Sequence, residues 1–374
     1  MSPIGIGVIG TGVISDTYLE NLGAFPDTEV LIVGDLDLAR AQTQAATYGI
    51  ASSGSAADVY THPGVDLVVN LTIPQAHVEV SRAAIAAGKH VWTEKPLGLD
   101  RAAAADLLQQ AATAGLRIGS APDTLLGPGF QTARRAIQQG TIGQPLFAQT
   151  AFQTQGPDRW HPNPGFLFAL GAGPLLDMGP YYFSALVSLF GPVARVAALG
   201  MQAHSQRTIH TGPRAGETFP VEVPSTVQVV TSFTSGQQAQ SVLSFDSALE
   251  RHGVVEIHGT EGSLVLPDPN QFAGRIAAVK PLGTLIDGMS VEQTWTEIPH
   301  ADLTVGRGLG ALDMARAIVQ DRPHVASGEL GFHVLDILLS AEESIRTGQT
   351  VELASTVAPV PLLPADFDPF AATL

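Results

Sequence analysis

Two rhythms of apolar and polar positions divide this chain. In the first, short apolar runs alternate with longer stretches of helical composition. Ile4–Ile9, Glu29–Val33, Val65–Leu71, His90–Thr93 and Arg117–Gly119 read as strands. Between them lie helices over Val13–Leu22, Leu38–Tyr48, Gln75–Ala87 and Arg101–Ala114, the last two stopped by Gly88 and Gly115. Strands and helices alternating at this spacing predict an α/β domain with a parallel sheet covered on both faces. From Leu125 the rhythm changes. A bridging helix over Leu125–Gln139 leads into alternating strands such as Leu146–Phe152, Val227–Phe233 and Ser241–Phe245. Val254–His258 and Ser263–Leu266, either side of Gly259-Thr260-Glu261-Gly262, predict a hairpin. A long helix over Gly173–Phe190 interrupts these strands, and helices over Leu309–Val319 and Gly331–Arg346 follow them. The expectation is a dinucleotide-binding domain over residues 1–122, and an α+β domain with a mostly antiparallel sheet over 123–350. An irregular Pro-rich tail over 351–374 should pack on the body or on a neighbour.

Composition narrows the classes of function. The 374 residues are 45% hydrophobic and 14% charged, enough for two well-filled cores. A formal net charge of −16 disfavours a nucleic-acid partner, which needs concentrated Lys and Arg. With no cysteine, disulfides and thiolate metal sites are excluded. No run of about eighteen apolar residues predicts a membrane span, and no basic leader precedes the first strand. A cytoplasmic protein is expected.

A literal GxGxxG falls on Gly5, Gly7 and Gly10, inside the first strand, where no helix opens. A phosphate cradle has to begin where the strand ends, which selects Gly10, Gly12 and the small Ser15, with Val13 and Ile14 opening the helix. Gly10 permits the tight turn, Gly12 lets a pyrophosphate approach the backbone, and the helix N-terminus offers amides and a positive dipole end. Asp35 closes the second strand, where a carboxylate binds ribose hydroxyls and repels a 2′-phosphate. The expected cofactor is NAD rather than NADP. Arg40 is read as too far along the next helix to reverse that.

Only three lysines occur, Lys89, Lys95 and Lys280. Lys95 stands in Glu94-Lys95-Pro96 just after a strand, at the end of the sheet where open α/β folds bind ligands. Lysine shifts its pKa when buried and arginine in effect does not, although a surface lysine closing a strand fits the position too. Further on, Asp177 and Tyr181 stand four apart and share one helix face. An Asp near a helix start also serves as a cap or dipole partner.

Together these residues resemble the glucose-fructose oxidoreductase/inositol dehydrogenase/rhizopine-catabolism (Gfo/Idh/MocA) family. The resemblance is carried by the N-terminal turn, by Val91-Trp92-Thr93-Glu94-Lys95-Pro96, by Gly173–Tyr181 and by the two closing helices. It implies a Rossmann domain plus a domain with an open-faced sheet, whose outer side makes homodimers or homotetramers. It implies that Lys95 is catalytic, that Asp177 works on substrate, and that Tyr181 stands where most relatives carry an acid/base histidine. The tyrosine points to the branch with glucose-fructose oxidoreductase and the dihydrodiol and xylose dehydrogenases. Thr72, Ile73, Pro74, His77, Glu94 and Lys95 then lie beside the cofactor, though His77 equally suits a helix cap. Glu94 either orients Lys95 or makes a surface salt bridge.

The implied reaction is hydride transfer between a nicotinamide and a secondary hydroxyl or anomeric carbon of a sugar, cyclitol or related polyol, with Lys95 and Tyr181 meeting at the reacting carbon. A phenol titrates near pH 10, and a neighbouring ammonium lowers that. Trp160, His161 and Asn163, in a loop before the long helix, suit a sugar ring or simply a structural Pro-rich loop. Asp123 is a further candidate for substrate contact. No HExxH or similar spacing predicts a metal site. Two rival readings are an NAD-dependent redox glycosidase and a non-catalytic dinucleotide or sugar sensor; the presence of Lys95 counts against the sensor.

Overall fold

A computed structural model describes residues 3–281 and 293–374. The chain begins with β1 (Ile4–Ile9), α1 (Ile14–Ala24), β2 (Thr28–Gly34), α2 (Leu38–Tyr48), β3 (Ser52–Gly54), α3 (Ala56–Thr61), β4 (Leu67–Asn70), α4 (His77–Ala86), β5 (His90–Thr93), α5 (Arg101–Thr113) and β6 (Ile118–Ser120). The six strands are all parallel, in the order β3-β2-β1-β4-β5-β6. The order reverses direction between β1 and β4, so the crevice beyond their carboxyl ends is the switch point where such sheets bind ligands. Gly5 and Gly7 serve packing, not phosphate binding. Within buried β1, a Cβ at Gly5 would run into the carbonyl of Gly64, and one at Gly7 would stand 2.5 Å from Val59.

The bridging helix is shorter than its apolar pattern predicts. A 3-10 turn over Asp123–Leu126 precedes α6 (Pro128–Gln138), because Pro128 suits only the first helical turn. Then come β7 (Pro145–Gln153), α7 (Gly173–Phe190), β8 (Val193–Met201), β9 (Gln206–Thr208), β10 (Thr218–Pro220), β11 (Thr226–Phe233), β12 (Gln238–Ser244), β13 (Arg251–Gly259), β14 (Gly262–Val265), β15 (Ala277–Val279) and β16 (Trp295–Glu297). The described chain closes with α8 (Leu309–Val319), α9 (Gly328–Thr347) and β17 (Val351–Glu352). Nine strands form one sheet in the order β16-β15-β14-β13-β7-β12-β11-β8-β17. Its neighbours are antiparallel except β12 and β7, which run parallel. In β11, Val227, Val229, Thr231 and Phe233 are buried, with Phe233 edge-on to Phe190 of α7, while Gln228 and Val230 face out. A separate pair, β9 and β10, stands apart from this sheet.

The chain forms two compact units, and the division differs from the sequence-based one. The first unit takes the chain through Leu126 together with Thr304–Leu335 and Val360–Leu374; the second takes Gly127–Leu303 and Asp336–Pro359. Specific contacts hold α8 and the tail in the first unit. Arg316 of α8 donates to Asp27 at 2.7 Å and to the carbonyls of Asp368 and Ala371 in the tail. No helix among the described residues is long and apolar enough to cross a membrane.

Candidate active site

The turn after β1 has the physical properties of a phosphate cradle. Gly10 takes φ 100°, a conformation that costs glycine little, and a Cβ there would stand 2.7 Å from the Leu71 carbonyl. A Cβ at Gly12 would meet nothing within 4 Å, so the space over the turn is open. Ser15 is fully buried, and its hydroxyl donates to the Gly12 carbonyl at 2.6 Å. Helices α2, α3 and α5 are capped by Asp37, Ser55 and Asp100, but no side chain caps α1. Its dipole end is left for an external anion. Val13 (92% exposed), Leu36 and Ile73 project from the loops after β1, β2 and β4. Three bare apolar side chains at one end of a parallel sheet mark a surface that a ligand covers. These residues fit a dinucleotide.

Asp35 directly follows β2 and is almost fully buried. One carboxylate oxygen accepts from the amide and hydroxyl of Thr11, both at 2.7 Å. The other accepts from the Asp37 amide at 2.9 Å and from the Arg40 guanidinium at 2.6 Å. Burial alone would raise the pKa of Asp35, but Arg40 and the Asp37 and Thr11 donors outweigh it and hold the group at about 2. Arg40 therefore reaches the Asp35 carboxylate, nearer than its place along the helix suggested, without touching the expectation of NAD.

After β4, buried Asn70 shapes the next loop. Its carbonyl oxygen accepts from the Thr72 amide and hydroxyl, and its amide donates to the His77 carbonyl and to Ser81. Ile73 is exposed, and Pro74 starts a 3-10 turn. His77 is buried, its Nδ1 2.7 Å from the Pro96 carbonyl and its Nε2 2.9 Å from that of Thr72. Burial lowers its pKa. The ring ties the loop after β4 to the loop after β5, so the expected cofactor contact at His77 gives way to a positioning role. Asn70 itself escaped the sequence reading, although a lone amide ending an apolar strand was a visible signal.

Lys95 sits half-buried at the carboxyl end of β5, with a cis peptide to Pro96. Glu94 accepts from the Lys95 amide at 3.0 Å and from the Tyr18 hydroxyl at 2.8 Å, and Tyr18 accepts in turn from Trp92 Nε1 at 3.2 Å. Burial, with the Glu94 and Asp123 carboxylates, pushes the Tyr18 phenol well above its ordinary range, so it stays a donor. The bond to the Lys95 amide fixes the main chain at Lys95 and leaves both readings of Glu94 open. Asp123 is different. Its carboxylate is fully buried and accepts from the amides of Gly308 at 2.8 Å and Gly310 at 3.3 Å, with Arg307 at 3.4 Å. It caps the start of α8 and is closed off from a substrate, which corrects its reading as a substrate residue.

In the second unit α7 carries the remaining pair, Asp177 half-buried and Tyr181 only 7% exposed. The neighbouring Tyr182 is fully buried, its hydroxyl accepting from the Gly253 amide at 3.0 Å. Burial drives its pKa far up, which leaves it a structural role. Trp160 (68% exposed) and Phe166 (57% exposed) flank His161 in an edge-on row. The Asn163 amide donates to His161 Nδ1, and its side-chain oxygen accepts from Arg214 at 2.7 Å. Among the described residues no group of three or more His, Asp or Glu could hold a metal ion.

Comparison with known families adds the decisive observation. The profile of the oxidoreductase family with an NAD-binding Rossmann fold matches residues 4–121, and that of the GFO/IDH/MocA C-terminal domain matches residues 130–265. This chain is a Gfo/Idh/MocA oxidoreductase. The oxidoreductase is 27% identical to trans-1,2-dihydrobenzene-1,2-diol dehydrogenase of Bos taurus over 268 residues, 70% of this chain and 74% of the relative. It is 27% identical to 1,5-anhydro-D-fructose reductase of Ensifer adhaerens over 353 residues, 93% and 98% of the two chains. Two solved structures share its fold. An NAD-binding oxidoreductase from Klebsiella pneumoniae superposes with TM-score 0.81 at 23% identity, over 95% of this chain and 100% of that one. Levoglucosan dehydrogenase in complex with NADH and L-sorbose gives 0.80 at 20% identity, over 96% and 99%. The Gfo/Idh/MocA oxidoreductase thus binds NAD through the unit that holds Gly10, Gly12 and Asp35.

Proposed function

We propose that this oxidoreductase moves a hydride between NAD and a ring hydroxyl or anomeric carbon of a sugar or related polyol. The observation that carries the reading is the place of Lys95 at the ligand-binding end of the parallel sheet, where Glu94, itself bonded by Tyr18, accepts from the Lys95 main-chain amide. Relatives named for a cyclic diol, an anhydro sugar and levoglucosan support a cyclic, hydroxylated substrate.

NAD, when bound, supplies the hydride acceptor. The start of α1 and the Gly12 backbone bind its pyrophosphate, Asp35 binds its ribose, and Val13, Ile14, Thr72, Ile73 and Pro74 cover its apolar faces. Lys95 stabilises negative charge on the substrate oxygen as the hydroxyl loses its proton. Tyr181, in its phenolate form, receives that proton. Asp177 orients the substrate through a second hydroxyl, and Trp160, His161 and Asn163 bound the sugar ring.

Steady-state kinetics on a sugar and polyol panel tests these roles. Lys95→Met should lower kcat by roughly 10³-fold, and Tyr181→Phe by roughly 10²-fold with NAD affinity nearly unchanged. Normal turnover by Lys95→Met overturns the reading.

A homo-oligomer in the cytoplasm completes the proposal. Leu199 and Met201 pair with Gln228 and Thr226 and share with Val230 the sheet face opposite buried Val229. All three side chains are at least half exposed, an apolar surface suited to a second copy. Light scattering on the wild type and on Leu199→Lys reads this directly.

A further inference from the structure

We propose that Arg207 is the positioning residue of the substrate loop, fixing Trp160 and Phe166 as a preformed platform for the apolar face of a sugar ring; this rests on the function proposed above. Residues 155–168 leave the sheet after β7 and lead into α7, and a single guanidinium holds both ends of the segment. From β9, Arg207 Nη1 donates to the Gln155 carbonyl at 2.8 Å and to Asp158 at 2.5 Å. Its Nη2 donates to the Phe245 carbonyl at 2.7 Å and to Asp246 at 2.6 Å. The same cation lies 5.1 Å from the centroid of the Phe168 ring, at the far end of the loop. Asp246 is anchored in its turn by the Thr226 hydroxyl of β11, 2.8 Å away. The Arg207 side chain is only 9% exposed, and Asp158 is buried with it.

The hold is transmitted to the exposed rings. The amides of Trp160 and His161 donate back to the Pro157 carbonyl, at 3.2 and 2.8 Å, so the aromatic pair moves with the turn that Asp158 anchors. Between the two anchors Trp160 and Phe166 stay open to solvent on either side of His161. Two bare aromatic rings on a loop pinned at both ends are costly to leave wet and ready to bind without further ordering. Only arginine serves here. Four acceptors are met by one planar fork, whereas a lysine has three donors on a flexible stem. A glycine at 156 is part of the device, since a Cβ there would collide with Arg207 Nη1.

The test uses the full chain with NAD and levoglucosan as probe, extended to other sugars and cyclitols where levoglucosan is not turned over. Arg207→Lys and Asp158→Asn should each raise KM for the sugar roughly 10-fold, leave kcat within about 2-fold, and leave KM for NAD unchanged. Asp158→Asn keeps Arg207 paired with Asp246 and so guards against simple misfolding. Added to Trp160→Ala, either change should cost less than about 2-fold more, because both remove one platform. Amide hydrogen exchange at Trp160 and His161 should quicken in both variants while β11 and β12 keep their protection. Unchanged KM for the sugar, or full multiplication of the Trp160 and Arg207 effects, overturns the proposal. Absence of wild-type turnover on every sugar overturns the functional reading instead; the exchange measurement then decides the clamp, and unaltered protection in Asp158→Asn rejects it.

Discussion

Arg40 donates to Asp35 across 2.6 Å, placing a cation on the carboxylate that directly follows β2. Asp35 is buried and also accepts from Thr11, so its position is set by the cradle itself, while Arg40 is half exposed and held mainly by that acid. Under the function proposed above, the pair would give coenzyme choice two opposed elements: Asp35 to repel a 2′-phosphate, and Arg40, once released, to attract one. Asp35→Ser should move the ratio of kcat/KM for NADP over NAD upward by roughly 100-fold, and adding Arg40→Ala should cancel most of that gain. Initial rates with both coenzymes check it, and an unchanged ratio in Asp35→Ser shows that preference is set elsewhere.

The same pair predicts a pH dependence of stability. The carboxyl of Asp35 is held at about 2, below its value in an unfolded chain. A carboxylate with a lowered pKa in the folded state contributes stability at neutral pH, and the contribution is lost as pH falls from about 4 toward 2. Asp35→Asn should therefore melt below the wild type at pH 7, with the two curves approaching one another on acidification. Thermal melts across that range decide it. Asp27 is lowered in the same direction, so the comparison is between variant and wild type, not the acid limb alone.

What could be read from residue order follows local physics. Gly10, Gly12 and Ser15 stand at a strand-to-helix turn, and Glu94-Lys95-Pro96 stands at a strand end, because both are properties of adjacent residues. The contact of Arg40 with Asp35 is lost when residues are counted without direction, although NAD stands as expected. Side chains lean toward the N-terminus of their helix, so Arg40, third in α2 and next to the Asp37 cap, reaches back over the end of β2. The short β3 and α3 escaped because Ser52–Gly54 has no apolar pattern, although Ser55 and Asp58 formed a legible capping box. The fates of Asp123 and Arg207 were out of reach. Asp123 is claimed by amides about 185 residues away, and Arg207 by a loop about 50 residues before it, and no local pattern records either.

Asp123 yields a prediction that separates structure from substrate binding. Its carboxylate satisfies two amides at the start of α8, whose first residues are buried. Removing a buried acceptor and leaving its donors unmet costs about 1–3 kcal/mol. Asp123→Ala should destabilise the protein by that amount in denaturant titrations and leave KM for the sugar unchanged. A rise in KM without loss of stability would return Asp123 to the substrate site.

The C-terminal tail offers a last test, because it closes over a buried ion pair. Asp27 and Arg316 are both nearly inaccessible, and the tail supplies many of their remaining partners. The Asp368 and Ala371 carbonyls accept from Arg316, while the Thr373 and Leu374 amides donate to Asp27. Phe370 packs against Phe25 at 5.9 Å between ring centroids. A desolvated pair of charges is tolerable only when its other lone pairs and protons are met. Truncation after Phe367 removes those partners but admits water in their place, so it should cost about 2–3 kcal/mol, whereas Asp27→Ala strands the guanidinium and should cost about 3–5 kcal/mol. Each loss should shrink when the two changes are combined, since both act on one network. Strict additivity in urea melts would mean that the tail packs on this surface without bracing the pair beneath it.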